Sequence, residues 1–182
     1  MFFANIALIE LFNKCLKDFE ALGIALQGLV EKSFRENIRF EARFEGPLYT
    51  GNKKTSNTLK IDFNKQKSVN VVPKAVGRLF SDIPVFTLNV LAEKEILAEK
   101  IRALVARGQP RDLYDVWVLL QTTELDEKLL AGKLKEENLR LSGLSLPSEG
   151  EYEIDLKDLL LHIPDYKSAK ADVKGRLSGI LQ

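Results

Sequence analysis

Residues 99–115 have the sequence Glu-Lys-Ile-Arg-Ala-Leu-Val-Ala-Arg-Gly-Gln-Pro-Arg-Asp-Leu-Tyr-Asp, which predicts a helix, a Gly-Gln-Pro break and a second helix. Lys100, Ala103 and Arg107 recur at helical spacing, so the two cations share one face of the first helix. Pro110 suits the first position of the next helix, because its missing N–H costs no hydrogen bond there. The stretch therefore predicts a helical hairpin in which cations converge near carboxylates.

The whole-chain composition limits the classes of protein that fit. The 182 residues are 45% hydrophobic and 29% charged, as in an ordinary globular domain, and the net charge of +1 points to no general affinity for nucleic acid. One cysteine and one histidine exclude an internal disulfide and a cysteine-rich zinc site, and nearly exclude a Ser-His-Asp triad. The apolar runs are too short to cross a bilayer, and the N-terminus lacks a basic signal-peptide region. We therefore expect a cytoplasmic protein with no membrane segment.

Two alternating stretches predict a pair of antiparallel strands. Apolar and charged residues alternate strictly over residues 38–45, which is the pattern of a half-buried strand. Residues 59–63 alternate in the same way and place Asp62 on the polar face. The polar loop between the two stretches favours a hairpin-like connection.

The remaining patterns predict an α+β fold whose C-terminal half is helical. We expect short strands at 69–72 and 85–90, and helices at 6–29, 92–107, from 110 onward, 124–134, 156–162 and 166–181. These elements predict a sheet-containing domain over 1–90 and a helical domain over 91–182.

The charged residues of these elements also fit ordinary structural roles. Asp62 fits a solvent-exposed aspartate as well as a rigidly held ligand of Mg²⁺. Lys100 and Arg107 fit surface charges, which contribute only about 0.3–0.5 kcal/mol per pair, as well as a clamp for phosphate groups. Asp112 and Asp115 complement the dipole of a helix N-terminus by about 0.3–1 kcal/mol, whether or not they serve a site.

The combined string is more specific than its parts. Lys-x-x-Ala-x-x-x-Arg at 100–107, Arg-Asp-x-x-Asp at 111–115 and Leu-Lys-Ile-Asp at 59–62 together resemble the AbiEii-like nucleotidyltransferase toxins of type IV toxin–antitoxin and abortive-infection systems. The resemblance covers residues 38–121 well and the rest of the chain loosely.

This resemblance implies a polymerase-β-like nucleotidyltransferase core followed by a helical domain. It implies Mg²⁺-dependent transfer of a nucleotide from a nucleoside triphosphate to an acceptor such as tRNA or another RNA, and a cognate antitoxin as partner. Asp62 would hold metal, and Lys100, Arg107 and Arg111 would contact the triphosphate. The candidate catalytic residues carried over from the family are Asp62, Lys100, Asp112 and Asp115. The last two would lie near the nucleotide or orient the cations, and the resemblance leaves both roles open.

One family motif has no counterpart in the chain. The Gly-Gly or Gly-Ser turn that precedes an Asp-x-Asp strand is absent. We therefore expect a core that is incomplete at its N-terminus, in either a fragment or a natural short form with little activity, since two-metal transfer needs several carboxylates. An exposed sheet edge would favour a homo-oligomer. The alternative functions are a non-catalytic module that binds nucleotide, RNA or antitoxin, and an unrelated adaptor in which the motif string is accidental.

Overall fold

The computed structural model describes residues 2–21, 23–34, 37–64, 70–77 and 84–180. The chain divides into two compact units, residues 1–67 and 68–182. Both helices and small antiparallel sheets are present, so the α+β prediction is confirmed. Each unit is described by itself below.

The N-terminal unit is a helix followed by a three-stranded antiparallel sheet. Helix α1 (Phe2–Ala21) precedes strands β1 (Leu26–Phe34), β2 (Asn37–Phe44) and β3 (Asn57–Asn64), which lie in the order β1-β2-β3. The helix predicted over about 6–29, with Gly23 or Gly28 as its stop, ends at the earlier of these glycines: Gly23 (φ 80°) follows the helix in the left-handed region, and the residues from Leu26 onward pair with β2.

The core of this unit follows from the alternation of β2. Its inward side chains, Ile38, Phe40, Ala42 and Phe44, are all buried. Helix α1 contributes Phe12, whose ring stacks on that of Phe40 with centroids 4.4 Å apart. The opposite face of β2 carries charged residues, so the period-two pattern correctly separated the core side from the polar side.

The C-terminal unit begins with a two-stranded antiparallel hairpin and continues in helices. The strands are β4 (Val71–Val76) and β5 (Phe86–Leu91), and the helices are α2 (Glu93–Arg107), α3 (Pro110–Thr122), α4 (Glu127–Glu136), α5 (Glu149–Leu156) and α6 (Tyr166–Ser178). Helix α3 packs on α2, α5 and α6 around a shared apolar core. The contacts of the hairpin place it in the same compact unit as the helices. The sequence analysis had placed residues up to 90 in the N-terminal domain. The division into functional domains 1–90 and 91–182 stays a prediction.

One predicted helix of this unit is wrong. Residues 156–162 were expected to be helical, but α5 ends at Leu156. The helix instead starts after Ser148, whose hydroxyl accepts from the Glu151 amide while the Glu151 carboxylate accepts from the Ser148 backbone N–H. This Ser-x-x-Glu capping box is a sequence signal for the true start.

The turn between α2 and α3 depends on Gly108. Its φ of 58° lies in the left-handed region, its N–H donates to the carbonyl of Leu104, and a Cβ would lie 2.8 Å from the carbonyl oxygen of Ser145. The glycine therefore permits both the reversal and the close approach of a second backbone segment.

We expect Gly108→Ala to lower the free energy of unfolding by at least about 1 kcal/mol, because alanine is disfavoured in this conformation and would meet the Ser145 carbonyl. Gly132→Ala is the matched control: it lies inside α4 with open space around its Cβ, and should raise stability by about 0.5–1 kcal/mol. Urea unfolding followed by the fluorescence of Trp117, the only tryptophan, measures both. Equal effects of the two substitutions would contradict the argument.

Candidate nucleotide-binding site

The helical hairpin α2–α3 brings together the charged residues of both motifs. Lys100 and Arg107 lie on α2, while Arg111, Asp112 and Asp115 lie on α3. The face of α2 that carries the cations also carries Leu104, which is fully buried. Because this face packs on α3, the cations meet carboxylates and do not form an open basic stripe.

The strongest pair in this cluster joins Arg107 to Asp112. The Nε and Nη2 atoms of Arg107 donate to the two carboxylate oxygens of Asp112 at 2.6 and 2.8 Å. The Asp112 side chain is 1% exposed and that of Arg107 is 59% exposed. Hydrogen bonding to Asp112 is the main cause that raises the pKa of the Arg107 guanidinium, and the charge of Asp115 adds to it. A buried carboxylate thus fixes the orientation of a guanidinium that remains open to solvent.

Two further pairs complete the cluster. The ammonium of Lys100 lies 2.6 Å from a carboxylate oxygen of Asp115. Arg111 donates through Nε and Nη2 to Asp155 of α5, both at 3.1 Å. Asp155 was missed by the sequence reasoning, because it lies 44 residues from Arg111 and no local spacing connects the two.

The geometry suits the binding of a polyphosphate. Two guanidinium groups and one ammonium lie on helices α2 and α3, and each is paired with one carboxylate. A guanidinium offers planar, bidentate donors that match phosphate oxygens, and an ammonium offers a compact point charge. The Lys100–Asp115 and Arg111–Asp155 pairs are partly exposed and therefore weak, so a multiply charged ligand can compete for these two cations.

Asp62 lies in the N-terminal unit, on the exposed face of β3. It is the register partner of Arg39 on β2, which donates to both carboxylate oxygens at 2.6 and 3.1 Å. This hydrogen bonding lowers the pKa of Asp62. No group of three or more His, Cys, Asp or Glu residues among the described parts of the chain could hold a metal ion. The roles predicted for Asp62 and for Mg²⁺ stay predictions.

The comparison with protein families shows to which family the chain belongs. The family model described as "Nucleotidyl transferase AbiEii toxin, Type IV TA system" matches residues 7–177. The chain belongs to the AbiEii nucleotidyl transferase toxin family. The matched range contains both α2–α3 motifs and the strand with Asp62, so the resemblance inferred from the sequence is confirmed. No curated protein and no solved structure matches the chain. Within the described ranges, no helix of this AbiEii family member is long and apolar enough to span a bilayer.

Proposed function

We propose that this AbiEii family chain binds a nucleoside triphosphate through Lys100, Arg107 and Arg111 and transfers a nucleotide from it to an RNA acceptor such as tRNA. The observation that carries the proposal is the bidentate pair between exposed Arg107 and buried Asp112. A carboxylate with almost no solvent contact is poorly suited to touch a substrate itself. It is well suited to hold the guanidinium that does.

The proposal gives each charged residue of the cluster a separate task. Lys100 and Arg111 would contact the outer phosphates, because the carboxylates that pair with them are more exposed to solvent than Asp112. Of the two roles left open for Asp112 and Asp115, orientation of the cations agrees better with their contacts than a position beside the nucleotide, because each carboxylate pairs with a cation. The polymerase-β-like core, a cytoplasmic site of action and a cognate antitoxin are part of the proposal and rest on family membership.

Mg²⁺ would supply charge neutralisation of the triphosphate in such a transfer. The described carboxylates do not fit a preformed metal centre, since Asp62, Asp112 and Asp115 are each paired with a cation and form no cluster of three. We therefore assign these residues no metal-dependent step.

The same observation favours a second candidate, a module that binds nucleotide, RNA or antitoxin without transfer. The two candidates share the binding step and differ only in turnover. Incubating the full chain with an α-labelled nucleoside triphosphate, Mg²⁺ and RNA separates them. Label in the RNA supports the transferase, nucleotide binding without label supports the module, and the absence of both contradicts the proposed site.

We expect Lys100→Ala to weaken binding of inorganic tripolyphosphate by about 10-fold, because one charge-assisted contact contributes on the order of 1.5 kcal/mol. The affinity of the unsubstituted chain should fall as salt rises, with a smaller slope for the variant. Lys94→Ala is the matched control, since Lys94 is an exposed lysine on the same helix outside the cluster. Isothermal titration calorimetry gives both affinities, and equal losses for the two variants would place the binding site elsewhere.

A further inference from the structure

Helix α6 presents a row of cations on its exposed side. Its buried stripe consists of Tyr166, Ala169, Val173 and Leu177. Lys167, Lys170 and Lys174 recur at spacings of three and four residues, so they form a row along one flank of the exposed face. The row spans about 10 Å at 1.5 Å per residue.

These cations differ from those of the α2–α3 cluster because no carboxylate holds them. Among the described residues, neither the three lysines nor Arg176 forms an ion pair. Lys170 donates to the hydroxyl of Tyr166 at 3.1 Å, which keeps its ammonium charge uncompensated. Asp165 and Asp172 accept hydrogen bonds from neutral donors, the Ser168 amide and the Trp117 indole; the nearby charge of Lys167 also contributes to lowering the pKa of Asp165, without an ion pair between the two. The helix therefore carries four cations against two carboxylates.

The shape of the helix lets a ligand come close to these charges. The middle of the exposed face carries Ser168, Ala171, Gly175 and Ser178, none of which reaches far from the backbone. A Cβ at Gly175 would meet no other atom within 4 Å, so the space above it is open. A linear polyanion can lie along this face within reach of all three lysines.

Helix α6 belongs to the same compact unit as the candidate site. It packs on α3, where the Trp117 indole donates to Asp172 at 3.0 Å. Its first residue, Tyr166, contacts Tyr152 of α5, with ring centroids 5.5 Å apart. Helix α5 also carries Asp155, the partner of Arg111. The lysine row therefore lies on a helix that packs directly on α3, which carries part of the cation cluster.

We propose that the exposed face of α6 binds the phosphodiester backbone of the acceptor RNA. That the ligand is RNA rests on the proposed function. A lysine row that forms no ion pairs within the described part of the chain is a feature that phosphate backbones bind, without sequence readout. A membrane surface fits less well, because interfacial helices insert bulky apolar side chains and this face has none.

The test measures binding of a labelled single-stranded RNA to the full chain in the absence of nucleotide. Replacing Lys167, Lys170 and Lys174 together by glutamine should raise the Kd about 10-fold and lower the slope of log K against log salt by about 2. Tripolyphosphate affinity should not change. The matched control replaces three other exposed lysines of the same unit by glutamine, namely Lys128, Lys135 and Lys157. Its Kd for RNA should stay within about 2-fold of the value for the unsubstituted chain.

A second variant keeps the test informative if the triple substitution fails to fold. Gly175→Glu puts a carboxylate in the middle of the face at a helical position where glutamate is a better helix former than glycine. It should weaken RNA binding, whereas Gly175→Gln should not. Equal losses of RNA affinity in the triple variant and its control would overturn the proposal. So would a triple variant that loses affinity for anionic vesicles or acidic peptides but keeps its affinity for RNA. Since no nucleotide is present, a failure of triphosphate binding or transfer leaves the RNA result interpretable.

Discussion

Replacing Lys133 by methionine is expected to lower the free energy of unfolding of the C-terminal unit by about 3–5 kcal/mol, the usual cost of removing one partner of a buried ion pair. Lys133 lies on α4, and its side chain is 4% exposed. Its ammonium pairs with Glu95 and with Glu99, the latter at 2.8 Å, both on α2. The substitution would leave the buried carboxylate of Glu95 without its counter-charge.

The size of the effect depends on what else can stabilise Glu95. Its other oxygen accepts from the side-chain amide of Asn70 at 3.1 Å, next to the start of β4. A single neutral hydrogen bond offsets only a small part of the cost of burying a charge. Burial opposes the charge of Lys133, yet hydrogen bonds to the two glutamates raise the pKa of its ammonium above the usual value. The contacts of Lys133 with Glu95 and Glu99 therefore tie α4 to α2.

Urea unfolding followed by Trp117 fluorescence measures this prediction, because Trp117 lies in the same unit on α3. Lys135→Met is the matched control, an exposed lysine two residues further along α4, and should change stability by less than about 0.5 kcal/mol. The double variant Glu95→Met with Lys133→Met should recover most of the loss, because hydrophobic replacement of a buried pair is often neutral. A single variant as stable as its control would refute the buried-pair argument.

The elements that the sequence predicted well are those whose signals lie within a few residues. Strict alternation located β2 and β3 and their polar face, and the Gly-Gln-Pro break located the junction of α2 and α3. Strand β1 was missed because its residues, Leu26–Phe34, include Gly28 and do not alternate regularly. Its pairing with β2 is a tertiary contact, and such contacts override local propensity.

The same limit applies to the candidate site. Lys100, Arg107, Asp112 and Asp115 lie within sixteen residues of one another, so helix geometry alone brought them together. The burial of Asp112 could not be predicted, because it depends on which helices cover the N-terminus of α3. Asp155 could not be predicted either, because its helix was placed too late in the chain.

The Arg107–Asp112 pair gives the sharpest test of the proposed site. Arg107→Lys keeps a cation beside the buried carboxylate but removes the bidentate fork. We expect it to weaken tripolyphosphate binding by about 10–100-fold, since charge-assisted hydrogen bonds contribute about 1.5–3 kcal/mol each. Arg107→Ala would be less informative, because it would leave Asp112 buried and unpaired and would destabilise the unit. Arg102→Lys is the matched control, since Arg102 lies on the same helix and pairs with Glu99 and Glu137 outside the cluster.

Asp112→Asn then tests whether the carboxylate acts through the arginine. Asparagine keeps the shape of the side chain but turns an amide donor toward the guanidinium, so Arg107 loses its fixed orientation. We therefore expect the affinity for tripolyphosphate to fall about 10-fold, although no cation of the site is removed. In an Arg107→Lys background the same substitution should add little, because residues that act as a unit are not additive. A merely structural role would lower stability by the same amount in both backgrounds without this coupling in affinity. A gain in affinity would contradict the positioning role, since it would mean that the negative charge of Asp112 acts on the phosphates directly.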